Sequence, residues 1–177
     1  MSRDLIAETE RLRLRRFTAE DAPFILELLN DPDFLRNIGD RGVRTDADAR
    51  RYILDGPVAS YERNGFGLYL VELAASGVSI GMCGLVRRES LPGPDIGFAF
   101  LPAWRSRGYG LEAARAVMRH AEEDCGLRRL VAIVSPGNTA SRRLLERIGF
   151  RFEGMTRLAD DASEVELLAC SFEGEAG

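Results

Sequence analysis

One joint between a buried strand and a helix constrains this sequence more than any other feature. Residues 96–104 are an apolar run that predicts a strand, and apolar residues recur at helical spacing from residue 111 onwards. The joint at residues 105–110 contains two glycines and two arginines. Glycine lets the backbone approach an anion closely, and the first N–H groups of a helix have no intrahelical acceptor. The joint therefore predicts a site for the phosphates of a diphosphate cofactor, which favours an enzyme.

Six more segments are expected to be strands, and four helical patterns lie among them. A strand that alternates with period two comes first, followed by two helices, a hairpin and two strand–helix steps. This order predicts an α/β or α+β fold with a mixed sheet of about seven strands and helices on its faces. The expected strands are residues 11–17, 66–73, 78–86, 95–101, 129–135, 150–153 and 164–172, and the expected helices are residues 19–29, 46–61, 111–124 and 139–148.

Three local expectations concern the surroundings of this joint. Residues 30–32 (Asn-Asp-Pro) are expected to end the first helix, and residues 33–44, polar with two glycines, are expected to form a loop. Residues 56–57 (Gly-Pro) are expected to kink or break the second helix. His120 has charged neighbours and is expected on the solvent-exposed face of the third helix.

The composition is that of one ordinary soluble domain. The chain has 177 residues, of which 45% are hydrophobic, so a core of normal size needs no disulfide or metal to support it. The net charge of −4 argues against nucleic acid as a main partner. Three scattered cysteines and one histidine predict no metal site. No apolar run approaches the roughly 20 residues that cross a bilayer, and no apolar leader follows Met1, so a cytoplasmic location without a membrane partner is expected.

A second motif follows one strand–helix unit after the first. Residues 138–141 (Asn-Thr-Ala-Ser) open the fourth expected helix, and residues 146–150 (Glu-Arg-Ile-Gly-Phe) lie at its end. Together with residues 105–110, this motif resembles the GCN5-related N-acetyltransferase (GNAT) family. The likeness extends to its RimJ/RimL-type branch, which acetylates ribosomal-protein N termini, through Glu10-Arg11-Leu12-x-Leu14-Arg15, Gly81-x-x-Gly84-Leu85 and Gly108-Tyr109-Gly110-x-Glu112-Ala113.

The resemblance covers nearly the whole chain and implies a single domain. It implies a GNAT acyltransferase domain over residues 8–172, with terminal tails at residues 1–7 and 173–177. In that fold two parallel strands splay apart in a V, and about four helices flank the sheet. The two strands are expected at residues 95–101 and 129–135. Splayed strands leave backbone groups without partners, and the family fills that gap with the pantetheine arm of acetyl-CoA.

The resemblance implies acetyl-CoA as the cosubstrate, with no metal. The pantetheine arm is expected on the backbone of the first splayed strand, and the pyrophosphate on the amides of residues 105–110. By family position, Asn138 is expected to hydrogen-bond the arm, and Arg142 or Arg143 to reach the nucleotide end. The expected cofactor-binding residues are Ala99, Phe100, Leu101, Arg105, Ser106, Arg107, Gly108, Tyr109, Gly110, Asn138, Ser141 and Arg142.

The implied reaction transfers an acetyl group to a primary amine by direct attack of the amine on the thioester. The amine must lose a proton, which a carboxylate can take. Asp95 matches a position where histone-acetylating relatives carry a glutamate base; the other interpretation is a solvated turn residue after Pro94. Many relatives protonate the leaving thiolate with a tyrosine where this chain has Leu145. Ser141 is the substitute candidate, and the alternative is a small residue packed near the cofactor.

Two other classes of function stay open. A non-catalytic acyl-CoA-binding sensor on the same fold is one, because the usual tyrosine is absent. A dinucleotide oxidoreductase is the other, but that fold wants an acidic residue after the next strand, and residues 135–137 read Ser-Pro-Gly. The acceptor would be set by residues 33–44, the second helix and residues 155–164. A protein N terminus, an aminoglycoside-like amine, a polyamine and an amino acid all fit, and the choice between monomer and homodimer is open.

Overall fold

Eight strands form the mixed sheet on which this protein is built. The computed structural model describes residues 4–172, and the strands within them follow the spatial order β1-β2-β3-β4-β5-β6-β8-β7. Every neighbouring pair is antiparallel except β5 and β6, which are parallel. The strands are β1 (Leu5–Glu8), β2 (Leu12–Arg16), β3 (Leu68–Leu73), β4 (Ser79–Val86), β5 (Asp95–Phe100), β6 (Arg129–Val134), β7 (Arg151–Thr156) and β8 (Val165–Ser171).

The sheet confirms the mixed α/β fold and adds one strand to the seven predicted. The additional strand is β1, a short segment that pairs with β2 across a tight turn. It includes residues 5–7, which the sequence places in the N-terminal tail, so the extent of the domain stays a prediction. Residues 1–3 and the predicted tail at residues 173–177 lie outside the described residues.

Within residues 4–172 the chain forms six α-helices, two more than predicted. One of them begins where a loop was predicted at residues 33–44. Asp31 caps this helix by accepting a hydrogen bond from the N–H of Phe34 at 3.2 Å, and Pro32 suits the first helical position. The Asp-Pro pair therefore ends one helix and also starts the next. The helices are α1 (Ala22–Leu29), α2 (Pro32–Asn37), α3 (Asp46–Ile53), α4 (Ala59–Asn64), α5 (Tyr109–Glu123) and α6 (Thr139–Arg147).

The second predicted helix is interrupted at Gly56-Pro57, as expected. Leu54–Val58 forms a widened π-helical turn that contains Pro57 and separates α3 from α4. Because the proline has no N–H to donate, the wider turn keeps the chain helical in direction while the hydrogen-bond pattern changes. Of the helices described, none is long and apolar enough to span a membrane.

The two faces of the sheet carry separate hydrophobic clusters. On one face, Ile96 of β5 packs with Ala114 and Val117 of α5. On the other face, the helices α1, α2 and α3 cover the sheet. That second cluster contains Leu70 and Met82 of the sheet together with Phe17, Ile25, Leu28, Phe34, Ala49 and Ile53. Side chains alternate along a strand, so β5 contributes to both clusters and is covered on both faces.

His120 is buried, which contradicts its expected place on a solvent-exposed helix face. The residue is 8% exposed. Nε2 lies 2.9 Å from the Tyr69 hydroxyl, and Nδ1 lies 2.7 Å from the Asp124 carboxylate. Tyr69 in turn stacks on Tyr61 with ring centroids 5.5 Å apart. These partners satisfy both ring nitrogens, so the imidazole can be buried. The charged neighbours in sequence gave no sign of this, because Tyr69 reaches the helix from β3.

Gly84 permits a close approach between β4 and the start of β3. A Cβ atom at Gly84 would lie 2.2 Å from the carbonyl oxygen of Gly67 and 2.6 Å from Cα of Leu68. Its register partner on β5, Gly97, is less crowded, since a Cβ there would lie 3.7 Å from Cδ2 of Leu68. Of these two register partners, only Gly84 therefore requires the absence of a side chain.

We expect Gly84→Ala to lower the free energy of unfolding by about 1–3 kcal/mol, because backbone must move to relieve the overlap. Gly97→Ala is the matched control, and its free energy of unfolding should change by no more than about 0.5 kcal/mol. Urea denaturation followed by circular dichroism measures both values. Equal losses in the two variants would contradict the assigned role of Gly84.

Candidate functional site

The parallel strands β5 and β6 meet only at their beginnings. Asp95 pairs with Val131, whose N–H also donates to the carbonyl oxygen of Pro94 at 3.0 Å. Beyond that point β5 follows β4, and β6 follows β8. The two strands therefore diverge and leave a wedge between them, closed at Asp95 and open near Phe100 and Val134. This wedge is the V that the family resemblance implied.

One edge of β5 faces the wedge and carries backbone groups without a strand partner. The N–H of Leu101 donates to the carbonyl oxygen of Ile80 in β4 at 3.0 Å, and backbone groups alternate in direction along a strand. The backbone N–H and C=O groups of Ala99 and Leu101 therefore point towards β4, whereas those of Phe98 and Phe100 point into the wedge. Of the three residues predicted to hold the cofactor arm, only Phe100 presents its N–H and C=O to the wedge, and the sequence analysis missed Phe98.

The loop between β5 and α5 has the conformation of an anion site. Ser106 and Gly108 adopt positive φ angles of 61° and 84°, and Gly108 is the N-cap of α5. Glu112 donates its N–H back to the carbonyl oxygen of Gly108 at 3.1 Å. The helical residues before Glu112 have N–H groups without an intrahelical acceptor, and the positive end of the helix dipole lies there. Pyrophosphate contacts by Ser106, Arg107, Gly108, Tyr109 and Gly110 stay a prediction that this geometry suits.

Arg105 is the exception in this loop, because its guanidinium is already paired within the protein. Nε donates to the carbonyl oxygen of Phe100 at 2.9 Å, Nη2 donates to Asp31 at 2.6 Å, and Nη1 donates to Asp33. The sequence predicted a cation for the phosphates here. The structure instead uses the charge of Arg105 to hold the start of α2 against the end of β5.

Helix α2 connects the two strands that form the wedge, because it contacts the residues that follow β5 and β6. Its N-terminal end binds Arg105, which follows β5. At its C-terminal end, the carbonyl oxygen of Asn37 accepts a hydrogen bond from the hydroxyl of Ser135 at 2.8 Å, and Ser135 follows β6. A helix of six residues is about 9 Å long. Helix α2 therefore ties the open ends of the two strands together across a short, fixed distance.

A clamp formed by Thr9, Arg11 and Glu112 holds the loop between β5 and α5 against the turn between β1 and β2. The Glu112 carboxylate accepts hydrogen bonds from the backbone N–H of Arg11 at 3.0 Å, from Arg11 Nε at 2.7 Å and from the hydroxyl of Thr9. Arg11 Nη1 also donates to the carbonyl oxygen of Arg107 at 3.1 Å, and its guanidinium lies 4.3 Å from the centre of the Tyr109 ring. The Glu10-Arg11-Leu12 motif was the available signal for the clamp.

Asp95 is buried at the closed end of the wedge, so the solvated-turn interpretation is wrong. The residue is 2% exposed, and burial raises the pKa of its carboxyl to about 6. Arg88, from the loop after β4, places Nε 3.4 Å from Oδ1 of Asp95, and this charge opposes the effect of burial. Neither of these two atoms has a hydrogen-bond partner within the described residues. A carboxyl in this state is suited to take up a proton near neutral pH.

Asn138 caps α6, and Ser141 lies in its first turn. Oδ1 of Asn138 accepts a hydrogen bond from the N–H of Ser141 at 3.3 Å, so its Nδ2 group is the donor left for a ligand. Ser141 follows the open end of the wedge, whereas Asp95 lies at the closed end. Among residues 4–172 no hydrogen bond joins these two predicted catalytic residues. Leu145 is 1% exposed and packs in the core.

Arg142 and Arg143, which are neighbours on α6, differ in what they can offer a ligand. Arg142 Nε donates to Glu146 at 2.8 Å, and Nη1 donates to Glu166. Arg143 is exposed and forms none of the ion pairs described for residues 4–172. A groove of about 310 Å³ beside Asn138 is lined by both arginines. The sequence assigned the nucleotide end to Arg142 or Arg143, and the structure favours Arg143 because its charge is unpaired.

Comparison with known proteins gives the same family as the motifs. The family model described as the acetyltransferase (GNAT) domain matches residues 11–151 of the sequence. The uncharacterized N-acetyltransferase YnaD of Bacillus subtilis is 28% identical over 146 residues, which cover 82% of each chain. The crystal structure of an acetyltransferase from Agrobacterium tumefaciens is similar with a TM-score of 0.80 and 26% identity, over 97% of this chain and 96% of that one.

The RimL structure shares the fold at lower sequence identity. RimL, a ribosomal L7/L12 α-N-protein acetyltransferase solved with coenzyme A, has a TM-score of 0.83 and 20% identity, over 96% of this chain and 99% of its own. This chain thus combines the mixed sheet, the wedge between β5 and β6 and the glycine-containing loop at residues 105–110. The GNAT family model matches most of its length. We conclude that this protein belongs to the GNAT family of acetyltransferases.

Proposed function

We propose that this enzyme is an N-acetyltransferase that transfers the acetyl group of acetyl-CoA to a primary amine, either a protein N terminus or a small-molecule amine. The observation that carries the proposal is the wedge between β5 and β6. It leaves the backbone of Phe98 and the N–H of Phe100 open along one edge and ends at the N–H groups that open α5. A chain of amides ending in a diphosphate, such as coenzyme A, complements both features.

The proposed contacts to acetyl-CoA follow from what each residue has left to offer. The backbone of Phe98 and the N–H of Phe100 would hold the pantetheine arm, and Nδ2 of Asn138 would donate to it. The pyrophosphate would lie on the amides of residues 106–111. Arg143, rather than the paired Arg142, would meet the nucleotide end. When bound, acetyl-CoA supplies an acetyl group activated as a thioester.

Two residues of the chain would transfer the two protons of the reaction. A C–N bond forms to the acetyl carbon as the C–S bond breaks, so one proton leaves the amine and one reaches the sulfur. Asp95 would take the first, directly or through a water molecule, because its carboxyl is buried with a pKa of about 6. Ser141 would give the second from its hydroxyl. Since Leu145 replaces the usual tyrosine, a non-catalytic sensor of acyl-CoA is the second candidate.

Release of free thiol from acetyl-CoA distinguishes the transferase from the sensor. We expect thiol release to depend on an acceptor drawn from free-N-terminal peptides, aminoglycosides, polyamines or amino acids. N-terminally blocked peptides without lysine serve as controls and should give no release, because they lack a nucleophilic amine. Coenzyme A binding with no acceptor-dependent release across this panel would support the sensor instead.

We expect Gly108→Asp to weaken coenzyme A binding by at least about 100-fold, because it places a negative charge where the pyrophosphate is expected. Gly126→Asp is the matched control at the other end of α5. Gly126 has a φ of 65°, and an added Cβ would meet no atom within 4 Å, so the substitution carries a similar backbone strain away from the site. Titration calorimetry with coenzyme A measures both affinities. Equal affinity in Gly108→Asp and wild type would refute the cofactor site.

The rate of acetyl transfer should depend on the ionisation of Asp95. Its carboxylate form accepts the proton, so turnover should fall as the pH drops through about 6, below the range in which the amine itself titrates. Asp95→Asn cannot titrate and should lose this limb of the pH–rate profile while coenzyme A affinity stays the same. Glu89→Gln is the control, because Glu89 is exposed in the loop between β4 and β5, and this variant should keep the acidic limb of the profile. Persistence of the limb in Asp95→Asn would remove Asp95 from the mechanism.

A further inference from the structure

The spacing of β5 and β6 at the open end of the wedge is set through α2. Within residues 4–172, the strand pairing of β5 with β6 is limited to Asp95 and Val131 at the closed end. At the open end, Arg105 connects Phe100 of β5 to the start of α2, and Ser135, which follows β6, connects to its end. The two strands are therefore related there through a helix and not by direct pairing.

The contact at the start of α2 is made by buried and half-buried charges. Asp31 is 8% exposed, and its Oδ2 atom accepts from Nη2 of Arg105 at 2.6 Å and from the N–H of Phe34 at 3.2 Å. Nε of Arg105 donates to the carbonyl oxygen of Phe100 at 2.9 Å. Because a guanidinium is planar and its donors point in fixed directions, it holds both acceptors in one geometry. A single side chain thus fixes the start of α2 relative to β5.

The contact at the end of α2 uses a backbone carbonyl that the helix leaves free. The last carbonyl groups of a helix have no intrahelical donor, and that of Asn37 accepts from the hydroxyl of Ser135 at 2.8 Å. Between the two ends, Phe34 is 3% exposed and packs in the second hydrophobic cluster. Helix α2 therefore cannot shift along its axis without breaking an end contact or moving a buried ring.

The wedge between β5 and β6 is prone to close. Two neighbouring strands with unpaired edge groups gain hydrogen bonds by moving together, because a buried backbone group without a partner is costly. Paired strands lie about 4.8 Å apart, whereas a helix of six residues is about 9 Å long. While both ends of α2 are attached, the open ends of the two strands are therefore kept beyond pairing distance.

We infer that α2 is a spacer that holds β5 and β6 apart for the pantetheine arm, and that Arg105 and Ser135 are the positioning residues at its two ends. This inference rests on the proposed function and goes beyond it, because neither side chain needs to touch coenzyme A. A site that is already open binds its ligand without the cost of separating the strands. Since a spacer works only while both ends are attached, Arg105 and Ser135 act as one unit.

The test is a double-mutant cycle on coenzyme A affinity, measured by titration calorimetry. Arg105→Gln and Ser135→Ala each detach one end of α2, and each should weaken binding by about 3–10-fold, the range for one hydrogen bond. The double variant should bind no more weakly than the weaker single variant, because the first detachment already releases the spacer. Residues that act independently have losses that multiply, so a double loss of about 10–100-fold would overturn the inference.

Matched variants separate the spacer from a general loss of structure. Ser135→Thr keeps the hydroxyl donor and should bind coenzyme A as wild type does. Arg36→Gln removes an exposed ion pair with Asp33 on the same helix, at 2.9 Å, and should also keep wild-type affinity. If Arg105→Gln does not fold, Arg105→Lys takes its place in the cycle, because it keeps a charge beside Asp31 without the planar fork. Equal losses in Arg36→Gln and Ser135→Ala would contradict the spacer.

Turnover gives a readout that a structural role alone would not produce. Each single variant should raise KM for acetyl-CoA and leave kcat unchanged, because a saturating cofactor reopens the wedge and Asp95 lies at the closed end. A fall in kcat at saturating acetyl-CoA would contradict this. A wild-type protein that does not bind coenzyme A would refute the proposed function. Binding by wild type with unchanged affinity in both single variants would refute only the positioning role.

Discussion

The structure depends on the point at which β5 leaves β6. After the pair of Asp95 and Val131, no strand satisfies the backbone groups on the inner edge of β5. Buried backbone groups without partners are costly, so a wedge of this kind persists only where other groups fill it. Arg105 satisfies the carbonyl oxygen of Phe100 at the open end. The remaining donors and acceptors are left to a ligand, and the same divergence brings Asp95 to the base of the space that the ligand would fill.

The charged residues around the wedge divide into those that hold it open and those that face it. Arg105 binds α2 to the end of β5, and Arg11 binds Glu112 and the loop between β5 and α5 to the turn before β2. These arginines are paired, so their charge contributes to shape more than to ligand binding. Arg143 is exposed at the open end, and Arg88 is only partly satisfied beside Asp95. Position within the fold, rather than residue type, decides which arginines can select a ligand.

Patterns of short range were predicted well because they depend on neighbours in sequence. Seven of the eight strands follow from apolar runs or from alternation with period two. The loop at residues 105–110 and the Asn138 cap follow from the needs of a helix start. The errors concern contacts between distant segments. His120 was misplaced because Tyr69 lies far away in sequence, and α2 was missed because Asp31 and Pro32 suit a helix start as well as an end.

The sequence by itself determined the family, the order of strands and helices, and the loop at residues 105–110 as a place for a diphosphate. It could do so because backbone conformation and apolar periodicity are local properties. Only the tertiary structure decided which groups keep a hydrogen-bonding position or a charge that no other residue has paired. It showed Phe98 and Phe100 on the wedge and Arg105 neutralised by Asp31 and Asp33. It also buried Asp95 beside Arg88, because burial and charge pairing arise only when distant segments meet.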